Sequence, residues 1–242
     1  MTTPVAFDKI LFFDIETVPM REHFDDLTPE MQARWTEKYQ SLSARMPNRY
    51  GDSPIEGFVE AGIFAEFAKI VCISAGFIHH RGDAMGLRVK SFANDDERML
   101  LKDFSELLYN YSMPQYRLCG HNIREFDVPF VCRRLLINGL PLPPVIDMTG
   151  RKPWETQFLD TLELWRFGDI KNYTPLKLLT AVFGIPTPKD DIDGSQVAAV
   201  YYGEHDLKRI AVYCEKDVIA TAQLYLRYCG QPLIASENIE HV

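Results

Sequence analysis

The sequence is poor in cysteine, and its few cysteines lack the spacing of disulfide-bonded or zinc-binding proteins. Among 242 residues there are five, an odd number: Cys72, Cys119, Cys132, Cys214 and Cys229. No two of them form a C-x-x-C pair. A disulfide scaffold and a zinc ribbon are therefore disfavoured, and a reducing cytoplasm is the expected environment.

Long hydrophobic runs are lacking as well. No apolar segment approaches the roughly 20 residues that a helix needs to span a bilayer. The segment Met1–Lys9 has neither the basic region nor the apolar stretch of a secretory signal. The sequence thus predicts a cytoplasmic protein with no membrane partner.

Positively charged residues are fewer than negatively charged ones. Twenty-six Lys and Arg residues face 34 Asp and Glu residues, which gives a net charge of −8. Proteins that coat nucleic acid normally do so through a basic surface, so that class is disfavoured. A protein that contacts only the end of a strand remains compatible with this charge.

The order of the predicted elements indicates an α/β fold with a mixed central β-sheet and flanking α-helices. Apolar residues on both faces of the run from Lys9 to Ile15 predict a central strand. Further strands are predicted at 70–78, 87–92, 116–120 and 158–162. Helices are predicted at 29–46, 127–138, 176–183, 195–202 and 206–228, with one more starting at Asn94 and capped reciprocally by Glu97. This alternation implies one mixed-sheet domain.

The domain is predicted to cover residues 1–230, followed by a C-terminal tail at 231–242. Residues 18–68 are interpreted as an insertion after the first strand, because they hold one helical stretch and then a loop rich in Pro, Gly and Asn. Either the insertion or the tail is a candidate surface for a protein partner. The sequence does not indicate an oligomeric state.

Three acidic motifs occur along the chain, and the first is Asp14-Ile-Glu16-Thr17. Side chains alternate faces along a strand, so Asp14 and Glu16 are expected on the same face, roughly 6–7 Å apart. A carboxylate in a buried apolar strand is costly unless it is paired or binds a metal. For this motif alone, two solvated acids at a strand end are an equally good interpretation.

The second motif is Asn122-x-x-x-Phe126-Asp127. Asp127 is expected to open a helix, where an aspartate often serves only as a cap. The same position also presents a carboxylate at the end of the preceding strand, where ligands of open α/β sheets gather. Both interpretations of Asp127 remain open from the residues alone.

The third motif is Tyr213-x-x-x-Asp217. Residues four apart on a helix share one face, and Asp217 lies at the margin of the apolar stripe of the last helix. An acid in that position needs a partner. A salt bridge to Arg209 or Lys216 is the alternative to a role in a site.

With these three motifs the sequence resembles the DEDD superfamily of 3′–5′ exonucleases, tyrosine subclass (DEDDy). More narrowly, it resembles the proofreading exonuclease domain of family B DNA polymerases, here without polymerase sequence. The resemblance covers about residues 9–228 and includes the segments 189–194 and 209–217. The histidine subclass would have a histidine where this chain has Val212. The resemblance implies a ribonuclease H-like fold and a stand-alone exonuclease.

The resemblance also implies a set of catalytic residues, namely Asp14, Glu16, Asp127, Tyr213 and Asp217. The four carboxylates would bind two divalent cations, and all-oxygen ligands favour Mg²⁺ or Mn²⁺. Tyr213 is expected to position the attacking water and the phosphate, since a phenol with a pKa near 10 is a poor general base.

Other residues are implied as substrate contacts. Thr17, Asn122 and Phe126 are expected to line the pocket for the terminal nucleotide. Phe126 would stack on a base, or would only pack its helix against the sheet. A set of aromatic residues between motifs two and three lies among basic residues and is a candidate for single-strand binding, although core packing is expected for at least half of it: Trp154, Trp165, Phe167 and Tyr173. Asp160, in the strand before this set, is a candidate for supporting the site, although an ordinary acid at a strand end is the preferred interpretation.

The implied function is 3′–5′ hydrolysis of single-stranded DNA or frayed 3′ ends with release of 5′-mononucleotides, in DNA repair or end processing. Two bound divalent cations would change the net charge of the chain from −8 to −4, and this change would occur where the phosphate lies. A short footprint and metal-dependent binding are therefore predicted. An RNA 3′–5′ exonuclease similar to ribonuclease D is an alternative. A non-catalytic module that binds nucleic acid or a partner is another, disfavoured because all four acids are present.

Overall fold

The computed structural model of the chain describes residues 5–46, 48–82, 84–152, 155–156, 158–169, 171–186 and 192–242. Within these ranges six strands form a single sheet: β1 (Ile10–Pro19), β2 (Ala68–Arg81), β3 (Ala84–Ala93), β4 (Arg117–Gly120), β5 (Phe158–Asp160) and β6 (Ile239–His241). Their order across the sheet is β5-β4-β1-β2-β3-β6. Strands β1, β2 and β3 are antiparallel neighbours, whereas β4 lies parallel to β1, β5 to β4 and β6 to β3. The predicted mixed sheet is confirmed.

Helices cover both faces of the sheet, which confirms the α/β class. They are α1 (Pro29–Ser43), α2 (Pro54–Gly57), α3 (Glu97–Asn110), α4 (Asp127–Ile137), α5 (Thr161–Arg166), α6 (Leu176–Val182), α7 (Val197–Ala199) and α8 (Leu207–Tyr228). A π-helical turn, Val200–Glu204, continues α7. None of the helices in the described ranges is long and apolar enough to cross a membrane.

Strand β1 is buried on both faces, as its apolar sequence predicts. Leu11, Phe13 and Ile15 point into the core cluster that α3 and α4 cover. Ile10 and Phe12 point the opposite way, into the cluster that α8 covers. Because side chains alternate along a strand, Asp14 and Glu16 belong to the α8 face.

Several element boundaries differ from the predictions. Helix α3 begins at Glu97 and is capped by Asp96, not Asn94, because the Asp96 carboxylate accepts the first free N–H groups of the helix. Glu97 is instead buried in an ion pair with Arg134. The strand predicted at 158–162 ends at Asp160, whose carboxylate caps α5.

The predicted insertion lies between the end of β1 and the start of β2 and has a core of its own. This core is formed by Leu27, Trp35, Tyr39, Tyr50, Phe58, Ala61 and Phe67. The Trp35 indole N–H donates to the Pro54 carbonyl at 2.7 Å, and the Tyr39 hydroxyl donates to the Gly51 carbonyl at 2.9 Å. The insertion is therefore a packed unit next to the end of β1.

Residues 231–242, which the sequence predicted as a tail, pack on the rest of the chain. Strand β6 extends the sheet beside β3. The Gln223 side chain binds both the N–H and the carbonyl of Ile234, at 2.9 and 2.7 Å. This segment completes one edge of the sheet, which local sequence patterns did not indicate.

Candidate active site

The first pair of acids lies where β1 passes beyond its parallel neighbour. Strand β4 pairs with β1 only from Ile10 to Phe12, so the later part of β1 borders an open crevice. Asp14 and Glu16 stand in this part, and Glu16 is only 7% exposed. The crevice is at the carboxyl end of the parallel strands, where α/β sheets bind ligands.

Asp127 is brought to the same crevice by the start of α4. Its side chain is 3% exposed, and burial raises the pKa of its carboxyl, an effect that the nearby backbone N–H of Ile15 partly offsets. The first turn of α4 thus lies beside β1 between the two acids of the first motif. Asp127 is therefore more than a cap for its own helix.

The third motif reaches the acids from α8, which packs on the face of β1 that carries them. The Tyr213 hydroxyl donates a hydrogen bond to the Asp217 carboxylate. Between these two residues, the buried Cys214 thiol donates to the Asp14 carboxylate at 3.7 Å and to its carbonyl at 3.4 Å. Asp217 therefore belongs to the acidic cluster rather than only to the helix surface.

Burial and mutual repulsion oppose ionisation of the cluster. Burial raises the pKa of Asp14 well above its usual value, and the charges of Asp127, Asp217 and Glu16 raise it further. The pKa of Glu16 is also raised well above its usual value, first by burial and then by the charge of Asp217. Burial raises the pKa of Asp127 to about 7. A bound cation would relieve this repulsion.

The residue types around the cluster fit a hard divalent cation. In the described part of the chain, no lysine or arginine is among the main groups that shift the pKa values of Asp14, Glu16 and Asp127. Carboxylate oxygens of Asp14 and Glu16 lie within 4.8 Å of each other and of the Cys214 sulfur. Burial raises the pKa of that thiol well above its usual value, so the carboxylates are the ligands on offer. Clustered carboxylates are the usual ligands of Mg²⁺ and Mn²⁺.

All of the predicted site residues except Thr17 line one cavity of about 670 Å³: Asp14, Glu16, Asn122, Phe126, Asp127, Tyr213 and Asp217. Thr17 lines an adjoining cavity of about 340 Å³, and its hydroxyl donates to the Gly62 carbonyl at 2.7 Å. The hydroxyl of Thr17 thus anchors the insertion.

The cavity also contains residues outside the predicted site. Tyr173, from the aromatic set between motifs two and three, lies near enough to the acids that the charges of Asp127 and Asp14 add to burial in raising the pKa of its phenol. Trp165 instead packs against Phe183 and Tyr228. Phe167 is 91% exposed, and Trp154 falls outside the described residues.

Arg49, His121 and Lys177 line the cavity as well, and sequence patterns did not single them out. The Nε2 atom of His121 is 2.9 Å from the Thr174 carbonyl and must donate to it. Burial lowers the pKa of His121, which favours the neutral ring. His121 thereby holds the segment next to Tyr173 against the end of β4.

Comparison with known proteins places this arrangement in a family. The sequence profile of a family described as "Predicted 3'-5' exonuclease related to the exonuclease domain of PolB" matches residues 63–233. The second and third motifs fall inside this match, and the first lies before it. No match was found among curated proteins.

The family B DNA polymerase from the hyperthermophilic archaeon Pyrobaculum calidifontis has a similar structure, with a TM-score of 0.53 and 15% sequence identity. The alignment covers 90% of this chain and 24% of the polymerase, so the chain spans about a quarter of its length. This likeness shows the fold and confirms the predicted ribonuclease H-like architecture. From the profile match, the chain belongs to the family of predicted 3′–5′ exonucleases related to the exonuclease domain of PolB.

Proposed function

We propose that this chain is a metal-dependent 3′–5′ exonuclease that hydrolyses single-stranded DNA or frayed 3′ ends and releases 5′-mononucleotides. The observation that carries the proposal is the convergence of Asp14, Glu16, Asp127 and Asp217, from β1, α4 and α8, with Tyr213 in one cavity. Four carboxylates and a phenol suit phosphodiester hydrolysis better than they suit passive binding, because acids alone repel a phosphate.

The four carboxylates would hold two divalent cations, Mg²⁺ or Mn²⁺. When bound, such ions lower the pKa of water and stabilise charge on the transferring phosphoryl group and its leaving oxygen. Asp14 and Glu16 are kept in place by β1, and Asp127 by the first turn of α4. The chain therefore presents its ligands from rigid elements, as efficient metal sites require.

Tyr213 would orient the attacking water and the scissile phosphate. Burial raises the pKa of its phenol far above the usual value, and the charge of Asp217 acts in the same direction. The phenol therefore stays protonated and donates hydrogen bonds at neutral pH. Its part is to position the reactants, and it does not remove a proton.

Phe126, Asn122 and Tyr173 would contact the end of the strand. Phe126 lines the cavity while its ring also packs against Phe130, and stacking on one base would be worth about 1–3 kcal/mol. The net charge of −8 limits contact with a long backbone, so the footprint should be short. Roles in DNA repair or in processing of 3′ ends would suit such a footprint.

The proposal is tested by incubating 5′-labelled single-stranded DNA and the matching RNA with the protein in Mg²⁺, Mn²⁺ or EDTA. We expect a metal-dependent ladder that shortens from the 3′ end. Asp14→Ala should abolish it, whereas Asp103→Ala, an exposed acid on α3, should not. The ratio of DNA to RNA rates decides between the proposed substrate and a ribonuclease D-like activity. Binding without cleavage of either strand would refute the proposed exonuclease activity and favour a non-catalytic binding module.

A further inference from the structure

A second cavity adjoins the acidic cluster and is built largely by the insertion. It has a volume of about 340 Å³ and is lined from the insertion by Arg49, Val59, Glu60, Gly62 and Ile63. It shares Glu16, Phe126 and Arg49 with the first cavity, so the two are continuous. A strand bound at the acids therefore has room to extend along the insertion.

Arg49 lines both cavities, and its ion-pair partner ties it to the second one. The Nε of Arg49 donates to the Glu60 carboxylate at 2.9 Å, and Glu60 lines the second cavity but not the first. Asp14, Asp127 and Asp217 line only the first. Arg49 thus lies to one side of the reacting centre, and among the described residues it is the one positively charged side chain that lines the second cavity.

The backbone around Arg49 is held in place, whereas its side chain is accessible to solvent. The neighbouring Tyr50 is buried in the core of the insertion, and the loop that follows is bound by Tyr39 through the Gly51 carbonyl. The side chains of Arg49 and Glu60 are 47% and 30% exposed. An ion pair this exposed contributes little to stability, so Arg49 can exchange Glu60 for another oxyanion at small cost.

We propose that Arg49 binds a phosphate of the substrate strand other than the one that is cleaved. The proposal rests on the proposed function for its substrate, single-stranded nucleic acid, and gives the insertion a role in positioning it. A guanidinium makes paired hydrogen bonds to phosphate oxygens, and such contacts align a strand without reading its sequence. Glu60 holds the guanidinium in the cavity when no strand is bound.

The test compares Arg49→Ala with Arg34→Ala, a matched variant that removes an arginine from another exposed ion pair of the insertion. Two substrates are used: a 5′-labelled DNA 10-mer, and thymidine 5′-p-nitrophenyl phosphate, which has no phosphate besides the cleaved one. We expect Arg49→Ala to raise KM for the 10-mer about tenfold or more with little change in kcat. Hydrolysis of the nitrophenyl ester should not change, and Arg34→Ala should resemble the wild type.

A binding measurement separates this proposal from the proposed function. Fluorescence anisotropy with a 10-mer whose last linkage is a phosphorothioate gives the dependence of affinity on salt. Each phosphate contact of a single strand contributes about 0.7 to the slope of log K against log salt, so Arg49→Ala should make the slope shallower by about that amount. This result would support the role of Arg49 even if the wild type cleaved nothing.

Other results would overturn the role of Arg49. An equal loss of activity on the nitrophenyl ester would mean that Arg49 acts on the reacting phosphate. If Arg49→Ala left the slope of log K against log salt unchanged, Arg49 would not contact a phosphate. Glu60→Gln releases Arg49 without removing it and should keep or lower KM for the 10-mer. If Glu60→Gln raised KM as much as Arg49→Ala does, the ion pair of Arg49 and Glu60 would have only a structural role.

Discussion

Asp160 holds Asn122 in a left-handed backbone conformation at the edge of the candidate active site. The Asp160 Oδ1 atom accepts the backbone N–H of Asn122 at 3.0 Å, where Asn122 has φ +66°. The Oδ2 atom accepts the N–H of Arg124 at 3.1 Å. One buried carboxylate at the end of β5 thus shapes the loop that leads from β4 to Asp127.

We expect Asp160→Asn to impair activity through this loop. An amide can accept on its oxygen only, so its NH₂ group would face at least one of the backbone N–H groups that the carboxylate binds in this loop and at the start of α5. Activity should fall about 10- to 100-fold, as for other residues that orient metal ligands, with weaker metal affinity. Kinetics measured across a Mg²⁺ titration would show this. The matched variant is Asp169→Asn, because Asp169 accepts the backbone N–H of Lys171 on an exposed turn and lines neither cavity. It should keep the metal dependence of the wild type. An unchanged metal dependence in Asp160→Asn would contradict the role.

Tyr213→Phe tests whether the phenol positions the reactants or removes a proton. Loss of a hydrogen bond to a charged group costs about 1.5–3 kcal/mol, so kcat should fall roughly 10- to 100-fold with KM little changed. Because the pKa of Tyr213 is raised far above its usual value, the wild type should show no Tyr213 ionisation below pH 10. Profiles of kcat against pH should therefore have the same shape in both proteins. A basic limb present in the wild type and lost in Tyr213→Phe would identify a general base.

Much of the fold and most of the residues gathered at the site follow from local pattern. The apolar run Ile10–Ile15, interrupted only by Asp14, predicted β1 as a strand buried on both faces. Four-residue spacing predicted that Tyr213 and Asp217 share one face of α8. These features depend on residues close together in sequence. The assigned catalytic and binding roles of the site residues remain predictions.

Long-range contacts could not be predicted in the same way. Asp160 looked like an ordinary acid at a strand end because its partners lie 36 and 38 residues earlier. Arg49 reaches the site only because the insertion folds back on β1, and β6 joins the sheet through pairing with a strand about 150 residues away. No local periodicity encodes such contacts, which tertiary packing decides.

The buried ion pair of Glu97 and Arg134 should be a major determinant of stability. Arg134 donates to both carboxylate oxygens of Glu97 and to the Ala65 carbonyl, and Glu97 also accepts the N–H of Ile70. The pair thereby joins α3, α4 and the start of β2. Removing one member leaves a buried charge without compensation, so Glu97→Gln should lower the free energy of unfolding by about 3–5 kcal/mol.

Urea denaturation measures this cost. Glu37→Gln, which breaks the exposed pair with Arg34, is the matched control and should change the free energy of unfolding by less than about 1 kcal/mol. In the double variant Glu97→Gln/Arg134→Met no charge is left buried, so it should be more stable than Glu97→Gln alone. Equal effects of Glu97→Gln and Glu37→Gln would contradict the assignment.

The acidic cluster should make the metal-free protein less stable as pH rises. Burial raises the pKa of Asp127 to about 7 in the folded state, against a usual value of 3.8. The folded state therefore holds the proton more tightly than the unfolded state does. The stabilisation is complete below about pH 4 and is lost as pH rises through 7, at up to about 1.4 kcal/mol per pH unit for one proton. Melting temperatures in EDTA between pH 5 and 8 should fall accordingly.

Asp127→Asn isolates this contribution, because an amide has no proton to lose. Its melting temperature in EDTA should depend less on pH than that of the wild type, and at pH 8 it should be the higher of the two. Saturating Mg²⁺ should reduce the pH dependence of the wild type more than that of the variant, because a cation bound by the carboxylates stabilises their ionised form. Parallel curves for the two proteins in EDTA would mean that Asp127 is ionised in the folded protein across this range.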